Sequence, residues 1–462
     1  MKNLIFTNNR LFSRGLGFFL WSVIMVISTI GLPAHATLIR DHEIETELEA
    51  LAWPLAKEAG LRAIEIRVVS NQSYNAFVMG GLTVYVHTGL LTKAKSPEEI
   101  LGVLAHEIGH LAAGHAPRRA EAFAQANLTS TLATFAAAAV AASGASGDAA
   151  LGVALGGMDR ANRNYLTTSR YDESVADEWA LKILDAQDIS ASGMADFMRR
   201  LTGERALPES RQSDYYRTHP GAGARLMVFE DHMRDHGHDS PGITKDHRAK
   251  LARIIGKVKA YSLPPAKTLR DIKTSQNDAD WPQFDSATNA YRAAIAHYRR
   301  GSLEQAEQIM TDLITTYPDD AYFHEFLGDI FLSRQKAQQA IAAYQAALTS
   351  DPGPLVEFGL GKAFLADADS GNAASYEQAA QAFQRAINGE RNWAFLYRQL
   401  AIALGRGGNI AAADLALANE AVLRGDKQRA KQMANRALSH DDVSDEVRNY
   451  ANDILFSLQG LD

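Results

Sequence analysis

Two histidines one helical turn apart constrain this chain more than any other feature. They lie in Leu101 to His115, LGVLAHEIGHLAAGH, within His106-Glu107-Ile108-Gly109-His110. Leu101, Leu104, Ala105, Ile108 and Leu111 recur at helical spacing, so the segment is an amphipathic helix with an apolar stripe to bury. Positions i and i+4 sit one above the other on a helix face. His106 and His110 can therefore offer two imidazole nitrogens to one metal ion. Zn²⁺ accepts neutral imidazole and carboxylate, and a catalytic site keeps three protein ligands and a water. Glu107 is placed to reach that water as general base. A single histidine on an apolar helix is ordinarily a packed or surface residue, but here the spacing and the helical context argue otherwise.

Ser96-Pro97-Glu98-Glu99 opens this helix. Serine suits the N-cap, proline the first helical position, and Glu99 stands three residues after the cap. The cap fixes where the helix begins and so where the histidines point.

A second acidic motif follows downstream. Arg170-Tyr171-Asp172-Glu173-Ser174-Val175-Ala176-Asp177 leads into EWALKIL, with Val175, Trp179 and Ile183 at helical spacing. Glu173 and Asp177 fall on one face. This suits a third zinc ligand, Glu173, beside a carboxylate, Asp177, that holds the free N–H of His106 or His110. Two solvated acids would be the reading in isolation; the upstream histidines outweigh it. There are no cysteines, so no disulfide contributes, and one Zn²⁺ per chain has to be held by His, Asp or Glu.

The 462 residues favour two or three domains. A net charge of -7 gives no electrostatic case for nucleic-acid binding, which needs a basic face, so no nucleic-acid partner is expected. Lys2, Arg10 and Arg14 precede the apolar run Leu16 to Ile30, and Pro33-Ala34-His35-Ala36 offers an Ala-x-Ala site. Residues 1-36 are expected to be a cleaved signal peptide and the location the periplasm.

Between leader and zinc helix the pattern predicts a helix over Glu43 to Gly60, a strand over Ile64 to Val69 and a strand over Leu82 to His87. Gly80-Gly81 predicts a bulge or a close backbone approach. The second strand reads equally as an internal strand or as an edge that pairs with an extended peptide. Asn127 to Met158, rich in Ala, Gly, Ser and Thr, predicts a tightly packed helical hairpin, with peripheral membrane contact or a cover over the site as the other readings.

Helical pattern over Lys245 to Tyr261 ends at Ser262-Leu263-Pro264-Pro265, and a domain boundary is expected there. Beyond it Ala306, Met310 and Pro318 recur as Ala340, Tyr344 and Pro352, 34 residues later, the tetratricopeptide period. Gly328 and Phe331 match Gly361 and Phe364. Small residues let helices approach, and aromatic ones fill the gaps. Such pairs cannot bury their faces alone, so they stack into a curved solenoid. The expected domains are a metallopeptidase over 37-262, a linker over 263-284 and a repeat array over 285-462.

HEIGH followed by ESVAD resembles the zinc endopeptidase family of the CAAX prenyl proteases and the bacterial heat-shock membrane protease. NAFVMGGLTVYVHTGLL and THPGAGAR, with His219, Pro220 and Arg225, extend the resemblance over roughly Glu43 to Arg225. It implies a mainly α, minigluzincin-like domain with a small sheet, His106, His110 and Glu173 as ligands, and Glu107 as base. Unlike the integral-membrane relatives, the chain has no convincing transmembrane bundle, which argues against prenylated substrates. Leader, peptidase and repeats together resemble the periplasmic β-barrel assembly-enhancing type within that family. This implies outer-membrane protein quality control: unfolded or misassembled outer-membrane proteins as substrates, and assembly machinery docked by the array.

His219 or Arg225 is expected to stabilise the oxyanion formed when water attacks a peptide carbonyl, or His219 to take the fourth zinc position and hold the enzyme latent. His232, His236 and His238, in DHMRDHGHDS, read as a solvated loop with only adventitious metal contact. A scaffold with a structural metal is the alternative function, against which the intact Glu107 speaks.

Overall fold

The computed structural model describes residues 37–79, 81–115, 170–204, 207, 215, 219–274, 281–441 and 443–459. The expected leader and the Asn127 to Met158 stretch lie outside the described residues.

Strand β1 (Thr37–Ile39) leads into helix α1 (His42–Glu58), capped by the Asp41 carboxylate, which accepts from the Ile44 N–H. Strands β2 (Glu65–Ser70), β3 (Ala76–Val78) and β4 (Thr83–His87) follow. They form one sheet in the order β1-β2-β4-β3, with β2 and β4 parallel and the outer pairs antiparallel. Ile66 and Val68 of β2 and Val84 and Val86 of β4 are buried in register, packed with Leu48 and Leu55 of α1.

The strand before the histidine-bearing helix is therefore internal, and the sheet edges are β1 and β3, β3 being the one beside it. Three residues proved too short to show as a period-two pattern in the sequence. Gly80 lies outside the described residues; Gly81 takes φ +61° between β3 and β4, a conformation glycine adopts without a Cβ clash, and a Cβ there would meet no atom within 4 Å.

Helix α2 (Thr88–Lys93) turns the chain into α3 (Pro97–Ala112). The Ser96 hydroxyl accepts from the Glu99 N–H at 3.3 Å, as the sequence predicts. Glu99 does not complete a reciprocal box on Ser96. It accepts from the Lys95 N–H at 2.8 Å and from Tyr74 Oη, and it pairs with Arg200.

An amphipathic helix was expected, yet α3 is buried on every side from Glu99 to Leu111. Its polar positions are buried as well because they meet partners: a helix α4 (170–186), α5 (Ser192–Gly203) and α6 (Ala222–His236) close over it. His232 and His236 sit on α6, not in a solvated loop, whereas His238 lies in the exposed loop that follows the helix end at His236. Helix α7 (Lys245–Ser262) completes the layer.

The span read as a linker holds a further helix, α8 (Pro265–Thr274), packed on the first repeat helix. The array then runs through α9 (Ser286–Arg299), α10 (Leu303–Thr316), α11 (Ala321–Ser333), α12 (Ala337–Ser350), α13 (Pro354–Asp369) and α14 (Ser375–Gly389). It ends with α15 (Ala394–Arg406), α16 (Ile410–Leu423), α17 (Lys427–Leu438) and α18 (Asp445–Gln459). Each helix packs on the next. The buried Tyr344 ring lies against Gly328 and Gly359, where a Cβ would come within 2.8 and 2.5 Å of it. Small and large residues interdigitate there, as the repeat spacing implied. Among the described residues, no helix is long and apolar enough to cross a membrane.

Candidate metal centre

Helix α3 brings His106 and His110 to one face, their rings 4.7 Å apart between centroids. Helix α4 crosses that face very closely. A Cβ on Gly109 would lie 2.7 Å from the Ala176 carbonyl oxygen, so the fourth residue of HEIGH has to be small. This approach carries Glu173 to the histidines. His106 Nε2 is 3.3 Å from Glu173 Oε2, and His110 Nε2 is 3.4 Å from Oε1.

The loop before α6 adds His219, whose Nδ1 lies 3.1 and 3.0 Å from the two Glu173 oxygens. His106, His110, Glu173 and His219 are all buried, and each offers a ligand atom within 4.8 Å of the others. Zinc bonds of about 2.0–2.2 Å place tetrahedral donors roughly 3.3 Å apart. The separations of the three imidazoles from Glu173, 3.0 to 3.4 Å, fit that requirement, and so does the donor chemistry of imidazoles and one carboxylate.

Outer contacts orient the donors. Asp177 Oδ1 lies 2.9 Å from His106 Nδ1. Arg225 grips Asp177 with two parallel bonds, Nε to Oδ2 and Nη2 to Oδ1, each 2.7 Å, and donates through Nη1 to Glu173 Oε2 at 2.7 Å. On the other histidine, His110 Nδ1 lies 2.8 Å from His115 Nδ1, and His115 Nε2 faces Asp172 at 3.4 Å. If His110 binds through Nε2, its Nδ1–H donates to His115, whose own N–H then faces Asp172.

Burial opposes ionisation of Glu173, but His219, Arg225 and the bonds from His106 and His110 hold its carboxyl well below the usual range. Asp177 is likewise lowered against its burial, chiefly by Arg225. Burial and Arg225 disfavour the charged form of His106, yet its bonds to Asp177 and Glu173 raise its pKa. Burial, with the neighbouring Glu107 carboxylate, pushes the Tyr215 phenol well up, so it stays neutral. Its ring stacks on His219 at 3.9 Å, with 14° between the planes.

All seven residues singled out in the sequence meet in this one cluster. Glu107 is fully buried beside the donors, 3.7 Å from His219 Nε2. Arg225 is engaged with the two carboxylates. Two neighbours escaped the sequence reading. His115 was visible as the third histidine of the same stretch, five residues beyond His110. Tyr215 stands four residues before His219, whose N–H donates to its carbonyl at 2.8 Å, and that spacing is the signal that could have found it.

Residues 39–232 match the model of peptidase family M48, and residues 291–353 that of a tetratricopeptide repeat. The chain is 23% identical over 299 residues to the beta-barrel assembly-enhancing protease of Yersinia pestis, covering 64% of this chain and 60% of that one. It is 25% identical over 265 residues to a putative beta-barrel assembly-enhancing protease of Vibrio cholerae, covering 57% and 53%. Metalloprotease LoiP of Escherichia coli is 26% identical over 195 residues, 42% of this chain and 73% of that protein. The chain thus spans between half and two thirds of the first two relatives. Fold, donor cluster and matches together define a metallopeptidase domain. It is a domain of peptidase family M48, followed by C-terminal tetratricopeptide repeats.

Proposed function

We propose that the chain is a zinc-dependent periplasmic endopeptidase that degrades misfolded or stalled outer-membrane proteins and assists their assembly. The observation that carries the reading is the buried donor set at tetrahedral spacing with a carboxylate base beside it. His106, His110 and Glu173 would hold the zinc. When bound, zinc supplies Lewis acidity and makes water a nucleophile near neutral pH. Glu107 takes the proton from the attacking water and returns it to the leaving amine nitrogen. Asp177 and His115 hold the two imidazoles in orientation from behind. Arg225 keeps Asp177 and Glu173 ionised and in place.

His219 would close the donor set as a fourth ligand. A four-donor shell is the form of a structural site, whereas a buried glutamate beside it serves catalysis. A latent enzyme accounts for both, and a scaffold with a structural metal leaves Glu107 without a role. The repeat array would dock assembly machinery or substrate; the names of the relatives point to β-barrel assembly, and export would use the leader ending near Ala36.

The test is metal analysis of the purified mature protein beside a cleavage assay on casein or an unfolded porin. One zinc per chain with zinc-dependent cleavage is expected. A metal-loaded protein that cleaves neither substrate, even after His219→Ala, would leave the scaffold reading standing.

A further inference from the structure

Apart from that centre, the described residues bring together one other group of three metal-ligating side chains. Asp185 comes from the last turn of α4, and His232 and His236 from the last two turns of α6. Each offers a ligand atom within 4.8 Å of the other two. The two histidines are i and i+4, so they share a helix face. Their rings lie stacked, 4.0 Å between centroids and 8° between planes. His232 Nε2 and Asp185 Oδ1 are 2.8 Å apart across the gap between the helices.

We propose that Asp185, His232 and His236 form a second metal site, for one divalent ion of the Zn²⁺, Ni²⁺ or Cu²⁺ class. Two imidazoles and one carboxylate select such ions over Mg²⁺ and Ca²⁺, which favour oxygen donors. The tautomer of His236 is already set for the purpose. Its Nδ1–H donates to the His232 carbonyl at 3.1 Å, which leaves Nε2 as a lone-pair donor. A proton now lies between His232 and Asp185, and a cation would take its place. The His232 side chain is 15% exposed and that of Asp185 40%, so the ion enters from solvent and keeps waters in its remaining positions.

The site spans the same two helices that meet at the metal centre. Arg225 and His232 lie seven residues apart on α6, and Asp177 and Asp185 eight apart on α4. The Arg225–Asp177 pair and the His232–Asp185 pair thus join the helices at two levels. An ion at the outer level fastens α4 to α6 and so bears on the placement of Glu173.

Equilibrium dialysis of the full chain against micromolar Zn²⁺ tests this. Two zinc ions per chain are expected, falling to one in His236→Gln and in the double variant His232→Ala/His236→Ala. Far-ultraviolet circular dichroism checks that both variants keep the fold, which an exposed His236 makes safe for the single change. In a second arm, Zn²⁺ at about 100 times the Kd of the outer site should raise the Tm by a few degrees in the parent and not in His236→Gln. One zinc per chain in the parent, or two in the double variant, overturns the assignment. Displacement of the second ion by millimolar Mg²⁺ or Ca²⁺ overturns its class.

Discussion

Arg67 of β2 donates to Glu390, just past the end of α14, at 2.7 Å, although 323 residues separate them. The repeat array is therefore folded back against the peptidase domain. Further pairs cross the same junction: Arg253 binds Asp320 through two nitrogens, and His42 meets Asp351. Arg40 pairs with Glu390 and lies 4.5 Å over the Trp393 ring. Buried Glu43 is held down to about 2 by Arg253 and Lys257 against its burial.

Arg67 serves more carboxylates than it can fully neutralise, since Glu45 and Glu65 also bind it. Burial pushes the Glu45 carboxyl up from 4.5 to about 7 despite Arg67. An acid with a raised folded-state value contributes fully below its unfolded value and loses that contribution as pH rises through the folded one. Junction stability should thus fall between pH 4.5 and about 7. Glu45→Gln should match the parent at pH 4.5 or below and exceed it at pH 8 by roughly 2–4 °C in Tm. Melting curves at the two values decide it; a variant less stable at pH 8 would mean that the Arg67 pair outweighs burial.

Glu107→Gln should keep the metal and the fold, because Glu107 is not among the proposed donors and glutamine is nearly isosteric. Cleavage should fall by roughly 10²–10⁴-fold, the scale of a lost general base. Metal analysis and turnover on an unfolded substrate check both halves. Near-parental turnover would sink the mechanism.

Much of this was legible because helical spacing is local. HEIGH, the Ser96 cap and the Glu173/Asp177 pair each follow from residues three or four apart. The repeat showed itself through the 34-residue return of Ala306 as Ala340. The Tyr215–His219 stack is local as well, since the two are four residues apart and the His219 N–H donates to the Tyr215 carbonyl at 2.8 Å. Other contacts are set by tertiary approach and leave no local trace. The return of the array onto β2 depends on Arg67 and Glu390, which no spacing connects. His232 and His236 lie in a polar composition that reads as a loop, whereas their spacing of four already fits a helix.

His110→Ala and Glu173→Ala should each remove a donor and lower metal affinity sharply. Asp177→Ala and His115→Ala should lower it by about 10–100-fold, since each only orients an imidazole. Competition with a chromogenic chelator ranks the four. Equal affinity in Glu173→Ala and the parent would place the third ligand elsewhere. An unchanged His115→Ala would leave His110 oriented by its helix alone.

In the periplasmic setting proposed above, an unrestrained protease would meet every exported chain before it folds. His219 is fully buried, stacked on Tyr215 and within 3.1 Å of both Glu173 oxygens. Neutral imidazole in a fourth ligand position closes the shell to water, so the resting enzyme should be partly latent. His219→Ala should then raise cleavage of an unfolded substrate while the metal content stays at that of the parent. An oxyanion role predicts the reverse, a lower turnover number at unchanged metal content. The two are separated by single-turnover cleavage of a short peptide beside metal analysis of the same preparation. Cleavage unchanged in either direction would remove His219 from both roles. It would leave the imidazole as a packing partner that holds Glu173 against α3.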